Sequence, residues 1–93
     1  MIIGVIGWEL ELFGCQSLKE KRSIVRSLKD RLHDRYNVSV AETGHHDLWQ
    51  RTELTACVVA TDRRRAESVL DRADRLVSGE HRGRIIDSYR TFY

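Results

Sequence analysis

Residues 17–35 read SLKEKRSIVRSLKDRLHDR, and their spacing predicts the first and longest helix of the chain. Ser17 followed by Glu20 is a capping box, in which the Ser hydroxyl accepts from the Glu20 amide while the Glu carboxylate reaches back to the Ser17 N–H. Leu18, Val25, Leu28, Leu32 and Tyr36, with Ile24 at the margin, recur every three or four residues, so this stripe faces a core. Lys19, Arg22, Arg26, Lys29 and His33 recur at the same spacing, and their row lies roughly 100° round the helix from the apolar one. A flanking row faces water. It serves either to solubilise the helix, a role the interleaved Glu20, Asp30 and Asp34 support, or to form a ridge for a polyanion.

Before this helix, residues 2–13 alternate. Ile2, Gly4, Ile6, Trp8, Leu10 and Leu12 share one face of a long strand, and Ile3, Val5, Gly7, Glu9 and Glu11 share the other, which is apolar at one end and acidic at the other. After it, Asn37 is the residue expected to take the left-handed conformation that ends the helix. A second strand is expected over about Val38–Thr43 with Val38 and Val40 inward. Residues 44–51, GHHDLWQR, connect it to a third strand, Thr52–Thr61. Asp62 caps a second helix whose stripe is Ala66, Val69, Leu70, Ala73, Leu76 and Val77, and Gly79 ends it. A last strand spans Arg84–Tyr93, with two possible assignments of its faces.

The order βαββαβ, with two helices covering one face of a four-stranded antiparallel sheet, predicts an α+β ferredoxin-like sandwich over residues 1–93 as a single domain. Right-handed crossovers make strands one and two parallel and insert strand three between them. The start of the first helix and the tip between strands two and three then share one edge. Gln16, Ser17, Lys19, Lys21 and Arg22 are expected there beside His45, His46, Asp47, Trp49, Gln50 and Arg51, with His81 and Arg82 close by.

Composition narrows the function classes. Ninety-three residues at 41% hydrophobic and 32% charged describe a globular chain with no disordered tract. Sixteen basic residues against fourteen acidic, a net charge of +2, do not identify a nucleic-acid protein, so such a role has to rest on local distribution. The N-terminus lacks a cationic region, and Glu9 and Glu11 break its apolar run, so neither a signal peptide nor a membrane span is expected. Two cysteines without CxxC spacing fit free thiols in a reducing compartment, and the cytoplasm is the expected location.

SLKEKR at Ser17–Arg22, NVSVAE at Asn37–Glu42 and DLWQR at Asp47–Arg51 resemble, in that order and over nearly the whole chain, the YlxP-like family of small bacterial proteins. The resemblance implies a ferredoxin-like fold and no settled activity. Members' genes often sit among those for translation initiation and ribosome maturation, which implies an RNA or ribosome partner. The GHH ahead of DLWQR departs from the histidine-poor approach expected of the family.

The residues themselves point to binding, not catalysis. A helix N-terminus favours anions, and Lys19, Lys21, Arg22, Arg26, Lys29 and Arg51 are the candidate phosphate contacts; down the helix, Arg26, Lys29 and His33 extend the cationic row to about 20 Å at 1.5 Å per residue. His46, Asp47, Trp49 and Gln50 are candidate partner contacts, with Trp49 either folded back as a plug or exposed as an anchor. His45, His46 and Asp47 lack the second spaced pair a metal needs, and no activated nucleophile accompanies them. No catalytic residue, metal, cofactor or small-molecule substrate is predicted. The open sheet face offers Ile3, Val5, Thr55, Cys57 and Val59, with no aromatic platform for stacking bases unless Tyr89 supplies one, and is better suited to a homodimer. A binding protein for structured RNA or the ribosome is therefore expected. The alternatives are a homo-oligomeric interaction module or a small phosphate-ligand binder or enzyme.

Overall fold

The computed structural model describes residues 1–93 as β1 (Ile2–Leu12), α1 (Leu18–Arg35), β2 (Ser39–Gly44), β3 (Arg51–Ala60), α2 (Arg63–Ser78) and β4 (Gly83–Phe92). The sheet order is β2-β3-β1-β4, and each neighbouring pair is antiparallel. This is the ferredoxin-like arrangement. Both helices lie on one face, where Ile6, Trp8, Leu10, Leu12, Leu54, Ala56 and Val58 of the central strands meet Ile24, Leu28 and Leu32 of α1 and Ala66, Leu70, Ala73 and Val77 of α2. The alternation of β1 thus decides which face is dry. Trp8 is wholly buried and satisfies its indole N–H by donating to Asp74 Oδ1 of α2 at 2.9 Å, which fixes α2 against the sheet.

Local chemistry explains the element ends and three departures from the expected pattern. Ser17 Oγ accepts from the Glu20 N–H at 3.1 Å, but the Glu20 carboxylate accepts from Gln16 N, at 3.0 Å, not from Ser17. Asn37 takes no left-handed conformation. The helix stops because Tyr36 is extended (φ −134°, ψ 148°) while its N–H still bonds to Leu32 O. In β4, a register shift opposite Glu9/Leu10 inserts one extra residue. Ile85 therefore pairs with Leu10, and Phe92 with Gly4, on the core side although the two lie seven apart, and Tyr89 falls on the open side. That bulge is what makes the face of the last strand unreadable by alternation.

Candidate nucleic-acid interface

The topology brings the expected edge together. Leu12 N bonds to Gln50 O and Phe13 N to Arg82 O, so the exit of β1 is clasped between the β2–β3 tip and the α2–β4 loop. Gln50 Nε2 donates to Cys15 O at 3.3 Å, tying the tip to the segment that enters α1. His45, the one non-glycine residue with positive φ (59°), turns the chain at the tip. Its ring meets Glu9 Oε1 at 2.6 Å and its carbonyl receives the Lys21 ammonium.

Lys21 is the main correction to the phosphate-contact set. It lies three residues from Leu18 and Ile24 and four from Val25, inside the apolar stripe and not the flanking row, and it is 1% exposed. Its charge is met by Glu42 at 3.1 Å, which also accepts from Thr52 Oγ1 at 2.6 Å. Desolvating an ammonium demands such a partner, so Lys21 fastens α1 to β2 and offers nothing to a ligand. Arg51 is displaced in a different way. Its neighbour Thr52 points into the core, so Arg51 points to the open side of the sheet, where it pairs with Glu9 at 3.7 Å.

Lys19, Arg22, Arg26 and Lys29 remain. They sit on the solvent side of α1, and none of them takes part in an ion pair, although the chain makes ten. Glu20 is occupied by the helix cap, and Asp30 and Asp34 pair with no base. Arg22, Arg26, Lys29 and His33 line a groove of about 480 Å³ between α1 and β2, with Val25 and Asp30 beside them and Glu42 at its β2 side. Glu42 is already neutralised from behind by Lys21. The row spans about 15 Å from Lys19 to Lys29 at the helical rise, and its guanidinium and ammonium groups are free to meet oxyanions.

The remaining candidates divide. Trp49 is half exposed and lies with Asp47, Leu48, Gln50 and Arg51 around a shallow hollow at the tip, so it is no plug over α1. His46 is exposed, with its ring against Glu42 O at 3.1 Å. Arg82 is unavailable to a ligand: with Arg31 it encloses the buried Glu80 carboxylate, and it also reaches Ser27 Oγ at 3.2 Å. Hydrogen bonds from Arg82, only partly opposed by burial, and further ones from the Arg82 amide and Arg31 hold Glu80 well below the usual carboxylate range, at about 2 instead of 4.5. Composition gave no signal for this knot, because E-x-R in a loop is commonplace. On α2, Arg63 pairs with Glu67 and Arg65 with the capping Asp62, while Arg64, Arg72 and Arg75 make no ion pair.

Residues 3–90 match the family described as "Protein of unknown function (DUF503)". The chain is 35% identical over 71 residues to the uncharacterized protein YlxP of Bacillus subtilis (strain 168), an alignment covering 76% of this chain and 77% of that one. A variant of SnoaB, a cofactor-independent oxygenase from Streptomyces nogalater, superposes with a TM-score of 0.43 and 13% identity over 99% of this chain and 90% of its own. At that level the likeness assigns neither chemistry nor ligand. No helix is long and apolar enough to cross a membrane. With three ordered motifs, the family match across both helices and all four strands, and the ferredoxin-like order in place, the chain belongs to the DUF503 family and is a relative of YlxP.

Proposed function

We propose that this protein is a non-enzymatic cytoplasmic binding protein for structured RNA, ribosomal or pre-ribosomal, which it grips by phosphate through the α1 row Lys19, Arg22, Arg26 and Lys29. The observation that carries the reading is that these four cations have no carboxylate partner and stand in one row along a single helix, three of them lining the groove beside β2, whereas the other unpaired bases, Arg35, Arg64, Arg72 and Arg75, line no such groove with them. An ion-paired helix would have had to break those pairs to bind; this one exchanges only water and small ions. The groove beside β2 supplies a concave track for a backbone, and shape and charge, not base reading, set the selectivity.

The triple variant Arg22→Glu, Arg26→Glu, Lys29→Glu tests this in a fluorescence-anisotropy titration against a structured ribosomal RNA fragment. Binding falls by at least about a hundredfold, because three attractive contacts become three repulsive ones. Arg51→Glu, on the other side of the sheet, leaves affinity within about twofold. Equal affinity of triple variant and wild type rules out this surface.

A further inference from the structure

The side of the sheet that carries no helix has a charge pattern that the strand register makes plain. Read across β3, β1 and β4, its rows are Val59–Ile3–Tyr93, then Cys57–Val5–Thr91, then Thr55–Gly7–Tyr89. Ser39 and Ala41 of β2 extend the second and third rows. None of these side chains carries a charge at neutral pH. The fourth row is Glu53–Glu9–Asp87 and the fifth Arg51–Glu11–Arg84, all charged. The face is thus split across its middle into an uncharged half and a charged half.

The uncharged half also holds large apolar groups left in water. Val59 is 64% exposed, Tyr93 73% and Tyr89 52%. Tyr89 lies over Gly7, where any Cβ would collide with its ring. One side of the ring is therefore spent on the sheet and the other is open. Depletion of charge with aromatic enrichment is the composition of an interface centre.

We infer that this half-face is the contact of a homodimer, two sheets packed face to face, distinct from the helical surface proposed for RNA. The charged rows select both the occupant and the arrangement. The two charged rows hold four carboxylates, Glu53, Glu9, Asp87 and Glu11, against two guanidiniums, Arg51 and Arg84, so the surface beside the patch is net negative and disfavours a phosphate backbone as the occupant. A second copy satisfies the pattern if the twofold axis crosses the strands at the Cys57–Val5 row. The first row of one protomer then covers the third row of its partner, Tyr89 of each meets Ile3 and Tyr93 of the other, and the carboxylate rows project beyond the contact. An axis along the strands would instead set carboxylate row against carboxylate row. Three rows, one on three strands and two on four, measure at most roughly 20 by 20 Å in projection, short of the ~800 Å² per partner of a standard interface, so the dimer is weak and reversible, with a dissociation constant in the micromolar range.

Sedimentation equilibrium of the full chain, from low micromolar to about 200 µM, reads this directly. The wild type passes from monomer to dimer. Val59→Glu, at a position exposed enough to keep the fold, raises the dissociation constant at least about tenfold, and Arg22→Glu on α1 does not change it. Cys57 lies on the proposed axis and Cys15 is buried, so a short bifunctional maleimide joins two copies through Cys57 and fails in Cys57→Ser. A strictly monomeric chain at the highest concentration overturns the proposal, as does a dimer indifferent to Val59→Glu or one without the Cys57 cross-link. Should circular dichroism show Val59→Glu unfolded, the cross-link decides alone.

Discussion

Lys21 and Glu80 are the two charged residues the fold takes inside, Lys21 held by Glu42 and Glu80 by its near neighbour Arg82 and the distant Arg31. Removing one member of such a pair leaves the other charge buried without compensation. Lys21→Ala should therefore lower unfolding stability by about 2–3 kcal/mol, discounted from the fully buried case because Glu42 keeps some access to water. Chemical denaturation measures it, and the folded fraction of the variant should bind RNA as the wild type does. Glu80 gives a pH signature. Its pKa is lower folded (about 2) than unfolded (4.5), so its contribution is complete above pH 4.5 and disappears as pH falls toward 2. Glu80→Gln should cost about 2 kcal/mol at pH 7, a figure reduced for the solvent reaching Arg31 and Arg82, with the gap to wild type closing between pH 4.5 and 2. A gap that stays constant over that interval would contradict the Arg31–Glu80–Arg82 knot. Lys21 could have been placed from sequence, because it falls at apolar-stripe spacing and Lys is the odd residue there. Glu80 could not, since its burial depends on Arg31, forty-nine positions away.

At the scale of the elements, periodicity carried most of the reading. The faces of β1 and α2 and the inward side of Val40 on β2 follow directly from two- and 3.6-residue spacing, with buried Val38 just ahead of the strand. What the spacing missed are places where one residue changes the count or a contact replaces a propensity. The β4 bulge reverses the parity between Ile85 and Phe92. Tyr36 ends α1 in an extended conformation without help from Asn37. The candidate site was legible for the α1 row, because Lys19, Arg22, Arg26 and Lys29 share one helix and their geometry is local. It was not legible for the Arg51 charge: alternation with Thr52, Leu54 and Ala56 already turns Arg51 to the open side, but its pairing with Glu9 comes from another strand. Trp49 lies between these cases: its place at the tip follows from topology, but its half exposure depends on side-chain packing that no pattern encodes.

Over the whole molecule, the proposed function rests on the separation of two surfaces. The net charge of +2 is too small to draw a polyanion by itself, so the proposed attraction rests on the helical side, where the α1 cations stand unpaired, while carboxylates outnumber bases on the open side of the sheet. In a face-to-face dimer the helical layers point outward, and the two α1 rows would hold separate RNA segments. The RNA reading stands without the dimer. Its most direct test is the salt dependence of affinity for a structured ribosomal RNA fragment under conditions where the chain is monomeric. Four phosphate contacts predict a log–log slope of about −3 to −4, roughly a hundredfold loss of affinity between 50 and 200 mM salt. A slope near zero, with affinity retained at high salt, would contradict it.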